Sequence, residues 1–343
     1  MIVLSTATPA GQQLARARHD IVDYTFYFPI DLPWCVRRTV DRIDPEWVII
    51  AETEIWPNFL RTCRVRGVRV VMINGRISDK SFARYRVIRR WLRRVFEDYT
   101  LIGMQSDTDR ARIEAIGADP QKVAVFGNLK YDVLQADRPV DSDVGSLLAG
   151  WKQVWIAAST MPGEEELILD AFKHVRQAHP DVKLVLAPRH PERFDTVYGL
   201  MQRSGPVIRR TEISGSHPSS ASTLLLDSIG ELAALFRYAS VVFMGGSLVK
   251  TGGHNILEPA RYGKPIVFGP HMENFRDMAR LFVDASAAVQ IGQASQLAPA
   301  VSELLSNPEK SLQLGHNALA VIQQNTGATD RVLQVLEPIG ASR

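Results

Sequence analysis

The 343-residue chain has only two cysteines, Cys35 and Cys63. So few, so far apart, exclude a disulfide framework and a cysteine-based metal site, and fit a reducing compartment. Long apolar runs are missing too. No stretch approaches the ~20 residues that span a bilayer, and the start carries no basic segment followed by an apolar one, which reads as no signal peptide. The eight histidines show no His-x-x-x-His or similar spacing, so no zinc site is expected. Charge of either sign is scarcely in excess: 40 Lys and Arg against 37 Asp and Glu leave +3. Local crowding of arginine still leaves room for an anionic partner. There is no repeat of 20 to 50 residues and no low-complexity tract.

What is present is an ordinary globular composition, 45% hydrophobic and 22% charged. The length exceeds what one core usually supports, so two domains are expected. Short β-branched runs alternate with helical patterns, the form of repeated βαβ units on parallel sheets. After an opening strand, turn and helix start, one series holds "WVIIAET", "RVVMING", "TLIGMQS" and "KVAVFGN". The other holds "VWIAAST", "VKLVLAPRH", "STLLLDS", "SVVFMGG" and "PIVFGP". The segment between them has no sustained apolar period. The expected division is residues 1–135, a linker at 136–150, and 151–343 including the last helix. The fold class is α/β, two doubly wound Rossmann-like domains facing a cleft, with ligands at the carboxyl ends of strands.

The stretch "GGSLVKTGGHNILEPARYGKPIVFGPH" reads as a strand-to-helix loop with the helix starting near Asn255. Gly245, Gly246, Gly252 and Gly253 would let main chain approach a ligand where a Cβ collides, and the helix N-terminus would offer amides to a phosphate. Asn255 is placed as N-cap and Glu258 at the third helical position. Two readings of Glu258 stand: a cap, or a carboxylate accepting from the hydroxyls of a ribose. The glycine density favours the nucleotide. Neither a G-x-G-x-x-G nor a P-loop pattern is present.

Arg189 in "VLAPRHPERF" stands at a strand's carboxyl end beside Pro188, suited to a paired contact with phosphate or carboxylate; a surface salt bridge is the plainer reading. "SIGEL" puts Ile229, Gly230 and Glu231 where a strand gives way to a helix. Ser159 and Thr160 end "VWIAAST" and either hydrogen-bond a phosphate or sugar or cap the acidic helix start. In "AETEIWPN", Glu52 and Glu54 share a face if the strand continues through them. "DTD" at 107–109 reads as an N-cap with dipole-favoured acids at a helix start rather than a metal motif. His254 and His271 flank the glycine segment, within reach of a ligand there. In "RYRVIRRWLRRV", Arg86, Arg89, Arg90, Arg93 and Arg94 form a basic stripe on one helix face, with Val87, Ile88, Trp91, Leu92 and Val95 on the other. The stripe is a solvated face or a dock for phosphorylated lipid. No aromatic interleaving or nucleic-acid module accompanies it.

Taken in order, "AETEIWPN", "GNLKYD", "LAPRHPERF", "SIGEL" and the glycine stretch through "FRD" resemble the bacterial 3-deoxy-D-manno-octulosonic acid (Kdo) transferases specific for lipid A. The resemblance runs from residue 1 to about the last helix. It implies a GT-B glycosyltransferase that moves Kdo from CMP-Kdo to the lipid A precursor by an inverting displacement at the cytoplasmic face of the inner membrane, with no metal or other cofactor. It raises Pro188, Arg189, Ile229, Gly230, Glu231, Asn255, Ile256, Leu257 and Glu258 to CMP contacts. Glu54 would assist the transition state, and Lys130 would face the donor's carboxylate and departing phosphate. Implied partners are the donor, the phosphorylated lipid and an anionic membrane surface. The family's apolar anchor helix and the Gly-Glu loop bearing its base have no counterpart in residues 1–50, where Glu46 sits at a strand entrance, so activity of this chain stays open. Alternatives are a UDP-sugar transferase or epimerase of the same architecture, or a silent nucleotide-sugar or lipid A binding module.

Overall fold

The computed structural model describes residues 1–132, 141–213 and 221–340; residues 136–140 of the expected linker lie outside them. The chain divides into two units, Met1–Asp132 with Gly327–Arg343, and Val133–Thr326.

In the first unit, β1 (Val3–Thr6) and β2 (Tyr24–Tyr27) form a parallel pair. A four-stranded parallel sheet follows: β3 (Trp47–Ala51), β4 (Arg69–Gly75), β5 (Leu101–Met104) and β6 (Val123–Val125), adjacent in that order. Its core gathers Leu60, Val70, Met72, Phe96, Ile102 and Ile113. Asp31 ties the region after β2 to the helix Pro57–Val65, accepting from the amides of Asn58 at 3.1 Å and Phe59 at 2.8 Å. Those amides are otherwise orphaned at a helix start, where an acid also suits the dipole.

The second unit holds one parallel sheet: β7 (Gln153–Thr160), β8 (Val182–Pro188), β9 (Val207–Arg209), β10 (Thr223–Leu225), β11 (Val241–Met244), β12 (Ile266–Phe268) and β13 (Val289–Gln290). Their spatial order is β13-β12-β11-β7-β8-β10-β9. β7 carries an unbroken apolar run, residues 154–158, buried on both faces. The helix Glu164–Ala178 presents Ile168, Leu169, Phe172 and Val175 to the core around Trp155 and Phe243, one apolar stripe at helical spacing. The chain turns to one side of β7 for β8 and to the other for β11, so the crevice of this doubly wound sheet opens at their carboxyl ends.

Three sequence expectations are corrected here. Within the supposed linker, Ser142–Ala149 is a helix of the second unit. The last helix, Ala328–Gly340, belongs to the first unit. Asp132 accepts there from the amides of Gly327 at 2.7 Å and Thr329 at 2.5 Å, and Arg331 donates to the Phe126 carbonyl at 2.7 Å. The basic stripe is split between helices Asp79–Val87 and Arg89–Phe96, because Ile88 leaves helical geometry at φ −104°, ψ 18°. Leu92 and Val95 are buried as expected, but Val87, Ile88 and Trp91 are exposed.

Candidate functional site

The crevice at β7 and β11 is built by fitting main chain to carboxylates. Gly245 follows β11, and a Cβ there would lie 2.6 Å from the Ser159 carbonyl oxygen, so glycine lets β11 close on β7. Glu164, fully buried at the start of its helix, then fills the turn beyond. Its carboxylate accepts from the amides of Gly246 (2.6 Å), Ser247 (3.0 Å), Leu248 (2.8 Å) and Met161 (2.9 Å). Burial pushes the Glu164 carboxyl up while the four amides pull it back. Successive amides make an anion cradle, and here the protein's own side chain occupies it. The first glycine pair therefore serves internal closure rather than ligand approach. The second pair, at φ +93° and +74°, adopts left-handed backbone, and a Cβ would collide with Asn274 at Gly252 and with Met272 at Gly253.

Neighbouring Glu165 is fully buried as well. It accepts from Thr160 Oγ1 at 3.0 Å and from both ends of the Arg193 guanidinium, 2.5 and 3.2 Å. Thr160 is thus turned inward, and neither it nor Ser159 caps the helix, whose N-cap is Gly163 at φ +91°. Ser159 remains half-buried at the mouth of the crevice with φ +53°, strained for a residue with a side chain.

Around this base stand the expected donor contacts. Pro188 is buried, and Arg189 is exposed at the end of β8, its amide donating to the Thr160 carbonyl at 3.0 Å. Arg189 acts electrostatically on both Glu258 and His254. Burial pushes the Glu258 carboxyl up, and Arg189 opposes that rise. Burial, with Arg189 and His190 beside it, pushes the His254 imidazole down to about 4. The short helix runs Leu257–Ala260 with Ile256 as N-cap, so Glu258 is its second residue and Asn255 lies before the cap. Asn255 Oδ1 nonetheless accepts from the Leu257 amide at 3.1 Å, so the capping bond comes from asparagine and Glu258 makes none. Ile256 and Leu257 are fully buried, so their side chains belong to the core.

On the "SIGEL" turn, Ile229 is 80% exposed and Gly230 has φ +93°. The Glu231 carboxylate is held by Arg210, at 2.9 and 2.6 Å, and by the Ser228 hydroxyl. These partners keep it below the ordinary carboxylate range. As a side chain it holds the turn. The His271 ring pairs with Glu273 at 3.3 Å.

In the first unit, β3 ends at Ala51 and Glu52 is left-handed at φ +66°, so the two-residue alternation stops before Glu54. The loop is pinned through its main chain. Tyr99, its hydroxyl kept protonated by burial, donates to the Glu54 carbonyl at 2.8 Å, and Thr53 bridges both main-chain groups of Arg76. The Glu54 side chain is exposed. Lys130, also exposed, lies on the turn Leu129–Tyr131, anchored where Asn74 accepts from Leu129 at 3.0 Å and Asn128 from Lys130 at 2.9 Å. β3 and β6 are opposite edges of one sheet, roughly 14 Å apart at the usual strand spacing. The "DTD" acids lie in the first turn of a helix, but its cap is Ser106 before them, and Asp109 accepts from the Ile77 amide at 2.8 Å. Among the described residues no group of His, Cys, Asp or Glu suits a metal ion.

Sequence reasoning missed a surface cavity of about 620 Å³ lined by Pro33, Trp34, Arg37, Arg38, Asp41 and Arg42. Asp41 is engaged by Arg66, which leaves the lining basic. Three arginines within six residues of exposed helix were the available signal.

Two parallel-sheet units, the second with its crevice at a strand-order switch, have the GT-B architecture of glycosyltransferases. A putative UDP-N-acetylglucosamine 2-epimerase from Listeria monocytogenes shares that fold (TM-score 0.64, 12% identity, all of this chain and 97% of that one). The profile of the 3-deoxy-D-manno-octulosonic-acid transferase (kdotransferase) family matches residues 1–133, and that of glycosyl transferases group 1 matches 165–321. The Haemophilus influenzae 3-deoxy-D-manno-octulosonic acid transferase is 34% identical over 98% of this chain and 80% of its own length. The Bordetella pertussis enzyme of the same name is 32% identical over 91% and 73%. The C-terminal CMP-Kdo binding domain of WaaA from Acinetobacter baumannii is 34% identical, with TM-score 0.50, over 53% of this chain and 94% of that domain. The chain belongs to the Kdo transferase family.

Proposed function

We propose that this chain transfers Kdo from CMP-Kdo to a phosphorylated lipid A precursor, lipid IV-A, in lipopolysaccharide core biosynthesis. The observation that carries the reading is the gathering of Arg189, His254 and Glu258 around one crevice, in a relative of Kdo transferases and of a CMP-Kdo binding domain. The acceptor hydroxyl attacks the anomeric carbon of Kdo and gives up its proton to solvent, the bond from that carbon to the CMP phosphate oxygen breaks with its electron pair so that CMP leaves, and configuration inverts. Arg189 takes charge on the departing phosphate. Glu258, which makes no cap bond, accepts from the ribose hydroxyls. Main chain at Pro188, Gly230, Glu231, Asn255, Ile256 and Leu257 frames the nucleotide, and the exposed Ile229 meets the base. Glu54 assists the transition state and Lys130 balances the donor's carboxylate.

The basic cavity supports an acceptor bearing phosphates. Val87, Ile88 and Trp91, exposed among Arg86, Arg89, Arg90, Arg93 and Arg94, support docking on an anionic lipid surface, at the cytoplasmic face of the inner membrane. No helix of the described residues is long and apolar enough to cross a membrane. Freshly made CMP-Kdo and lipid IV-A, followed by mass spectrometry of the lipid, test the proposal. Gain of Kdo with release of CMP is expected. Transfer from a UDP-sugar instead would contradict it, and CMP binding without transfer would make the chain a nucleotide-sugar binding module.

A further inference from the structure

The His254 ring lies against Gly246: a Cβ there would come 2.9 Å from its Cδ2 and 3.0 Å from its Nε2. That edge of the imidazole faces the glycine loop, where the amides of residues 246 to 248 already donate to Glu164. Nε2 is buried there with no hydrogen-bond partner. The other nitrogen, Nδ1, is not enclosed in this way, and no hydrogen bond to it occurs among the described residues.

A neutral imidazole carries one proton, and its position follows from what each nitrogen faces. An N–H buried without an acceptor is the costlier choice, so the proton belongs on Nδ1, the open side. The charged and titratable neighbours acting on the ring are Arg189 and His190, and Glu258 acts in turn on Arg189. The fixed positive charge of Arg189 disfavours a second ring proton. The result is a fixed uncharged donor beside a guanidinium, an arrangement that suits an anionic oxygen: arginine supplies the charge and histidine the direction.

We propose that His254 donates its Nδ1–H to an anionic oxygen of the CMP-sugar, on its phosphate or on the sugar carboxylate, as a positioning contact beside Arg189. The proposal rests on the donor assignment above. Its test compares His254→Asn, which sets an amide N–H near the place of Nδ1, with His254→Gln, which sets one near Nε2. The full chain is titrated with CMP and with cytidine, and KM and kcat are measured with CMP-Kdo. Glutamine should lose affinity roughly tenfold, as for one hydrogen bond to a charged group, and asparagine should stay near the parent chain. Loss on CMP with cytidine unchanged places the contact on phosphate. Unchanged CMP binding with KM for CMP-Kdo raised places it on the carboxylate. If glutamine disturbs the loop, His254→Ala reads the same loss with less bulk. Equal losses for asparagine and glutamine, or none for either or for alanine, would overturn the proposal. Failure of the parent chain to bind CMP would instead remove the donor assignment itself.

Discussion

β7 and β11 of the second unit are buried along nearly their whole length, whereas in the first unit β1 leaves Leu4 39% exposed and β3 leaves Ile49 52% exposed. Around β1 to β3 of that unit, Ile2, Tyr24, Tyr27, Ile30, Leu32 and Trp34 are exposed as well. In the enclosed half, glycine, carboxylate and amide are fitted to one another, and the proposed donor contacts stand directly on that packing. In the open half, Glu54 and Lys130 project from loops held by main-chain bonds. Structural and functional effects should be coupled in the first case and separable in the second.

The largest effect should come from Glu164→Ala. It leaves four amides without their acceptor, and at about 1 to 3 kcal/mol for each buried unsatisfied group, partly relieved by water, a loss of roughly 3 to 5 kcal/mol is expected. The unfolding transition of the second unit should fall, and CMP binding with it. A variant of parental stability would break the coupling. Glu54→Gln sharpens the other side: turnover should drop by about 10², with CMP affinity and melting temperature unchanged because the side chain is exposed. A fall in thermal stability would show that the loop depends on its carboxylate.

The smallest effect concerns acid. Arg210 and Ser228 hold the folded Glu231 below its ordinary 4.5. A depressed folded value means that the stabilisation is present above the ordinary glutamate range and is lost as pH falls through the lowered folded value. Solvent screens this partly exposed pair, so the contribution is modest. Urea midpoints of the parent chain and Glu231→Gln should differ at pH 6 and converge toward pH 3. A gap that persists at pH 3 would exclude the ion pair as its source.

The strands legible from sequence were those with continuous apolar runs, β1, β3 to β8 and β10 to β12. β2, β9 and β13 escaped because a short strand of mixed polarity, such as Val207–Arg209, has too few residues to show a period. Arg189 and Glu258 could be placed from sequence at a strand end and a helix start, where a doubly wound sheet offers binding positions, and the structure puts them next to β8 and in the helix Leu257–Ala260. Glu164 was not, since three of its four partners lie 82 to 84 residues away and "GEEELI" has the look of any acidic helix start. Its hidden role also reversed the reading of the first glycine pair. The basic stripe was legible as a period, but periodicity carries across the break at Ile88, where the helix stops and restarts. The last helix went to the wrong unit because chain order does not reveal a return.

The central claim is that the crevice of the second unit holds a cytidine nucleotide, with Glu258 on its ribose. Calorimetric titration of the full chain and Glu258→Gln with CMP, UDP and inorganic phosphate tests it most directly. CMP should bind the parent chain and UDP should not, and the variant should lose roughly tenfold on CMP with phosphate unchanged. Equal binding of UDP and CMP, or equal losses on CMP and phosphate, would contradict it.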